Sequence, residues 1–252
     1  MKNQYVGDIG DYGKYGLLRY LSKNGLNIGV NWYLTKNDII IKDGNIRDYL
    51  NNEADSIYDS EVYKLLKTIP SRDIEHIENS DIIPNAVYYH RELNLENAAP
   101  RKKNEYRTQW HKAAMESLKN VSLVFADPDN GSTNDKNGTR KNGEKYITIS
   151  ELADYYKRGQ NVVYYCHKAR RSQDAWQSKM VELKKVCPDA RIIVLTFHRG
   201  TQRSYIFGIH PKQYNEYKLL IEKFLQTNWG TIKVNGKKEP FSKEELLIKY
   251  TD

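Results

Sequence analysis

The chain is poor in sulfur and proline: among 252 residues there are two cysteines, three methionines and seven prolines. Cys166 and Cys187 are too few for a disulfide framework and wrongly spaced for a four-ligand zinc site. Both read as small buried hydrophobes. No apolar run approaches the roughly 20 residues needed to cross a bilayer, and the opening stretch MKNQYVGDIG lacks the charged-then-apolar pattern of a signal peptide. The expectation is a cytoplasmic protein with no membrane partner. No period of about 20 to 50 residues repeats, which argues against a solenoid.

Positive charge is what the chain has in excess. Lysine and arginine number 40 against 32 acids, a formal net charge of +8, and they gather in a few segments beside Tyr and Trp. That distribution favours nucleic acid over a membrane surface, because the basic residues form no amphipathic anchor. A merely soluble basic surface is the alternative. With 39% hydrophobic and 29% charged residues the chain belongs to the globular class, and its length suffices for one large α/β domain with a real core.

Periodicity orders the elements. DYGKYGLLRYLSKNG sets Tyr15, Leu17, Leu18 and Leu21 on one helical face and stops at Gly25. LNIGVNWYL reads as a buried strand, DSEVYKLLKTIP as a helix capped by Asp59 or Ser60, and NAVYYH as a short strand. NEYRTQWHKAAMESL is a helix feeding the strand SLVFA. Residues 130–146 then carry so little apolar character that an exposed polar loop is expected. After it come the helix SELADYYKRG, the strand QNVVYYCHKA, the helix SQDAWQSKMVELKKV and the strand ARIIVLTFHRG. RSYIFGIHP follows so closely that it must pair antiparallel with its predecessor. The helix QYNEYKLLIEKFLQTNW and a polar tail complete the chain. The fold class expected is α/β, a single domain over 1–252: a Rossmann-like, mostly parallel sheet with helices on both faces and a C-terminal antiparallel hairpin that adds one edge strand.

In such a sheet the ligand crevice lies at the carboxyl ends of the strands. Four stretches sit there: Thr35 to Asp38, Asp127 to Asn130, His167 to Arg171, and His198 to Arg203. Asp127, Pro128, Asp129 and Asn130 form a turn stiffened by the proline, suited either to receiving an exocyclic amine or, through Asp127 and Asp129, to holding Mg²⁺ or Mn²⁺. A turn with Asn-Gly punctuation is the plain alternative. His167 suits proton transfer, and Lys168, Arg170, Arg171, Arg199 and Arg203 suit phosphate contact; a solvated basic helix start is the alternative there. Ahead of the first helix, Gly7, Gly10 and Gly13 would let backbone N–H groups approach an anion, with Asp11 and Lys14 beside them. Glycines used only for tight turns remain open. The segment is not a P-loop, since no strand precedes it and no GK[ST] ends it.

GDYGKYGLL ahead of the first strand, a strand-end DPDN in mid-chain and a terminal strand hairpin together resemble the class I S-adenosylmethionine-dependent amino-methyltransferases, nearest to the 23S rRNA adenine-N6 methyltransferase type. The resemblance implies S-adenosylmethionine as cofactor, Lys14 beside its methionine part with Asp11, Gly13, Thr35 and Asp38 near it, and Asp127 with Pro128 in the amine-binding turn. Where that family has a glycine-rich loop after strand one, this chain has Trp32 to Asp38, and Asp129 and Asn130 replace the second proline and the aromatic of an Asp-Pro-Pro-Tyr turn. The chain is also similar to an uncharacterised bacterial family sharing GDxGDYGKYGLLR and DPDNG. Three functions stand: methyl transfer to a base; metal-dependent phosphodiester cleavage with Asp127 and Asp129 as ligands, Asp8 or Asp11 added, and His167 as base; or a non-catalytic fold that binds nucleic acid or a partner.

Overall fold

A computed structural model describes residues 1–37, 44–96, 98–233 and 239–247. Its strands are β1 (Ile28–Asn31), β2 (Val87–Tyr89), β3 (Leu123–Ala126), β4 (Ser132–Thr133), β5 (Ile147–Thr148), β6 (Asn161–Cys166), β7 (Arg191–Phe197), β8 (Arg203–Ile209) and β9 (Phe241–Lys243). Seven of them form one sheet in the order β2-β1-β3-β6-β8-β7-β9, while β4 and β5 pair with each other. The strands β2, β1, β3 and β6 run parallel, and β8 is antiparallel to both β6 and β7.

Side-chain alternation explains the layers. Ile28, Val30, Leu123, Phe125, Val163, Tyr205 and Phe207 face one core, which the helices α1 (Ile9–Lys23), α2 (Ser60–Thr68), α3 (Ile74–Glu78) and later α8 (Tyr214–Leu225) and α9 (Asn228–Thr231) cover. Their sequence neighbours Val124, Ala126, Val162, Tyr164 and Ile206 face the other, covered by α4 (Lys103–Ser117), α6 (Ile149–Lys157) and α7 (Gln173–Met180). The expected α/β sheet is present, with helices around it and antiparallel strands at its C-terminal side. Among the described residues no helix is long and apolar enough to cross a membrane.

Three expectations change. The reversed strand β8 is interior rather than an edge: Ser204 through Ile209 are all buried, and a strand apolar on both faces is stable only between two neighbours. The polar tail contributes β9 on the outer side of β7, through Phe241 opposite Phe197. The segment 130–146 is built rather than simply exposed. It contains β4, the single turn α5 (Asp135–Gly138) and the buried Gly143 and Glu144.

What sequence periodicity could not show is that this segment is held from below by Arg107 on α4. Its guanidinium donates Nε and Nη2 to the two carboxylate oxygens of Glu151, each at 2.7 Å, and the same group reaches the carbonyls of Gly138, Gly143 and Tyr146 at 2.7, 2.9 and 2.7 Å. Glu151 also closes a capping box with Thr148 at the start of α6. Burial opposes the charge on Glu151, but the Arg107 charge and its hydrogen bonds outweigh that penalty and hold the carboxyl below its usual range.

Arg107→Met should therefore leave Glu151 in the interior without its counter-charge and take a donor from three carbonyls, at a cost of about 3–5 kcal/mol and a fall in Tm of roughly 10 °C for a chain of this size. Because the folded pKa of Glu151 is depressed, its contribution is complete above the ordinary carboxylate range and fades as pH falls through the folded value. Thermal unfolding of both proteins against pH should show the difference between them shrinking in acid.

Candidate functional site

The strands β3 and β6 end side by side, and β8 begins beside β6, so Asp127, His167 and Arg203 emerge at one edge of the sheet. The first turns of α1 lie across that edge. Between them is a cleft of ≈ 960 Å³ whose walls include Asp8, Asp11, Lys14, Asp127, Pro128, Asp129, Asn130, His167, Lys168, Arg170 and Arg203. Its volume is in the range of small-molecule and cofactor sites.

The floor is an ion cluster. Lys14 Nζ lies 2.6 Å from Asp127 Oδ2 and 2.7 Å from Asp11 Oδ1, with all three side chains at least nine-tenths buried. Tyr15 donates its hydroxyl to the other Asp11 oxygen at 3.0 Å. The ammonium also sits near the faces of Tyr15 and Trp32, 5.2 and 5.4 Å from the ring centroids. Burial disfavours the Lys14 charge, yet Asp11 and Asp127 more than compensate and its pKa rises. For Asp11, burial is the largest influence and raises its pKa; Lys14 opposes this without reversing it, and Asp127 adds to it. Asp11 is thus more easily protonated than an exposed aspartate.

The neighbouring acids have their own cations. Asp129 Oδ1 is 2.7 Å from the Met1 α-ammonium and Oδ2 is 3.5 Å from Lys2 Nζ. The same α-ammonium donates to the carbonyl of Asp127 at 2.8 Å. Asp8 caps α1 by accepting from Gly10 N at 2.9 Å, accepts from Ile46 N at 3.0 Å and pairs with Arg203 at 2.6 Å. The helix start is therefore capped by an acid of its own chain, and the N–H of Gly10 is spent on that cap. A Cβ on Gly10 would lie 2.2 Å from Arg203 Nε, and one on Gly13 would lie 2.6 Å from the Phe197 ring. These glycines let α1 lie close upon the β7–β8 hairpin. Gly7, with φ +82, does need a left-handed backbone.

His167 follows β6 into a turn in which Ala169 adopts φ 50, uncommon for a residue with a side chain. Arg171 fastens that turn by donating to the carbonyls of His167 and Lys168 at 2.9 and 3.2 Å. Burial first, then the charges of Arg171 and Arg203, lower the His167 pKa, so the imidazole is neutral near pH 7. Its Nδ1 is buried without a hydrogen-bond partner.

Not every residue singled out in the sequence reaches the cleft. Thr35 accepts its place from Met1, donating its backbone N–H to that carbonyl at 2.9 Å, and does not line the cavity; Gly13 lies under Phe197. Arg199 pairs with Asp55 at 2.7 Å and covers the Tyr58 ring. Arg171 lines an adjoining cavity instead. Asp38 lies outside the described residues. Where a glycine-rich loop was missing from the sequence, Trp32 and Tyr33 are fully buried, with Tyr33 at φ 46 and its hydroxyl on Glu151 at 3.2 Å. Sequence reasoning missed Met1, Tyr165 and Tyr205, which also border the cleft; the alternation within β6 and β8 carried a signal for the two tyrosines, whereas nothing in the pattern pointed to Met1.

No family model matches the chain, and no curated protein matches it. Among solved structures, the crystal structure of protein LPL1258 from Legionella pneumophila str. Philadelphia 1, with the family model DUF519, is similar at 9% identity and TM-score 0.48, over 95% of this chain and 96% of that one.

The raised pKa of Asp11 means that the folded chain binds this proton more tightly than the unfolded chain, so stability falls as pH rises from the ordinary aspartate value to the folded one. Asp11→Asn should flatten that slope in thermal unfolding measured from about pH 4 upward. Lys14→Met, which leaves Asp11 and Asp127 together without their cation, should cost about 3–5 kcal/mol near neutrality and progressively less as Asp11 takes up a proton.

Proposed function

We propose that the chain is a nucleic-acid-directed enzyme whose cleft carries out amino-methyl transfer from S-adenosylmethionine to a base. One observation carries this reading: a buried Lys14 between two carboxylates, Asp11 and Asp127, on the floor of a cofactor-sized cleft at the carboxyl end of a parallel strand. Asp11 and Asp127 share the single ammonium of Lys14, while Asp8 is paired with Arg203 and Asp129 with the Met1 ammonium and Lys2. Two carboxylates that share one ammonium beside open volume suit a cationic group on the ligand.

The donor set fits a methionine-derived sulfonium. Lys14 would meet its carboxylate, while Asp11 and Asp127 would face its ammonium and its positive sulfur. The cofactor supplies an electrophilic methyl group when bound. Asp127, fixed by Lys14 and followed by the rigid Pro128, would accept a hydrogen bond from the target amine and orient its lone pair. Neutral His167 stands in the same cleft with an unpartnered ring nitrogen, suited to taking up the proton that the methylated amine loses. Lys168 and Arg170 at the rim would meet backbone phosphates.

Metal-dependent cleavage fits these residues less well. A hard divalent cation needs about six oxygen ligands, whereas Asp127 and Asp129 are each engaged by an ammonium, and among the described residues no group of three or more His, Cys, Asp or Glu side chains is placed to hold a metal.

Isothermal titration with S-adenosylmethionine should show saturable binding. Asp11→Asn should weaken it by roughly 10- to 100-fold, the worth of a hydrogen bond to a charged group. Absence of heat at millimolar cofactor removes methyl transfer, and function that persists in Asp127→Asn points to a non-catalytic fold.

A further inference from the structure

The cleft does not end at His167. A second cavity of ≈ 380 Å³ shares Asn130, His167, Ala169 and Arg170 with it and continues outward between Tyr146 and Arg171. The two form one groove, leading from Asp127 to the wall made by the segment 130–146. That wall is rigid, because Arg107 holds the Tyr146 carbonyl from beneath at 2.7 Å and Asn130 N donates to Lys145 O at 2.9 Å.

We infer that this groove takes a single-stranded nucleic acid, with Tyr146 as a stacking platform for the base adjoining the one held at Asp127, and Arg170 on the phosphate between them. The inference rests on the nucleic-acid reading above and specifies the state of that substrate. Among the described residues the half-buried Tyr146 ring stacks on no other ring, and Arg170 is exposed and matched with no carboxylate. An aromatic face beside an unmatched guanidinium is the combination that binds unpaired strands, where every base offers a stacking face and the phosphates a charge. A duplex keeps its base faces covered and cannot reach a target at the floor of a cleft without extruding it. The left-handed turn at Ala169 directs Lys168 and Arg170 to the rim, and Arg171 fixes that turn through its two carbonyl contacts.

The experiment is fluorescence anisotropy of the full chain, without cofactor, with labelled 12-nucleotide single strands of DNA and RNA and with the blunt duplex of the same sequence. At least one of the single strands is expected to bind more tightly than the duplex. Tyr146→Ala should weaken single-strand binding about tenfold, Tyr146→Phe, which keeps the ring, should restore it, and Arg170→Ala should make the dependence on salt shallower by about one phosphate contact. Equal affinity for both single strands and the duplex, equal binding by the Ala and Phe variants, or no binding of any oligonucleotide overturns the inference. Single-strand binding together with silence in the S-adenosylmethionine titration would keep it while removing methyl transfer.

Discussion

The contact between Lys14 and Asp127 joins the first helix to the end of a central strand, and the cleft exists because of it. Lys14 is buried at 113 positions' remove from its partner, and with Asp11 it forms a set in which no member is tolerable alone. Buried ion pairs stabilise less than apolar side chains of the same volume, but removing one member of such a pair is costly. The cluster therefore fixes where α1 lies more than it strengthens the fold. The glycines at 10 and 13 serve the same end from the other side of the helix, by letting Arg203 and Phe197 approach its backbone.

The molecule contains a second buried ion network, and the contrast between them is instructive. Arg107 uses all its bonding directions on Glu151 and three carbonyls, in a polar interior closed to solvent. It is complete and shapes a wall. The Lys14 cluster borders open volume, holds an unequal number of acids and bases, and includes an acid whose protonation burial has made easy. The first is saturated and closed; the second keeps two carboxylates on one ammonium beside open volume.

Much of this was legible in the sequence. The periodicity of DYGKYGLLRYL and the uninterrupted apolar character of LVFA and NVVYYC gave the helix and the parallel strands their places, and strand-end reasoning put Asp127, His167 and Arg203 on the same rim. Pairings that join distant segments were not. Nothing local says that RSYIFGI inserts next to NVVYYC, that the tail returns as β9, or that Asp129 meets the Met1 ammonium. The segment 130–146 misled because its polar residues are characteristic of loops, while the group that organises it, Arg107, lies on a helix more than 20 positions earlier and looks on sequence like an ordinary surface arginine.

The bond between Asp8 and Arg203 spans 195 positions. Since β8 must slide between β6 and β7, the sheet is completed only when chain from well beyond residue 200 has arrived. Contacts this distant in sequence form slowly, because the entropy of closing so long a loop is lost before any reward is gained. On a ribosome the first helix would wait, its glycine face bare, until most of the chain had emerged. The same bond makes the rim of the cleft a reporter of complete folding: a chain in which the late hairpin is missing or misplaced would have no Arg203 against Asp8, and so no finished pocket.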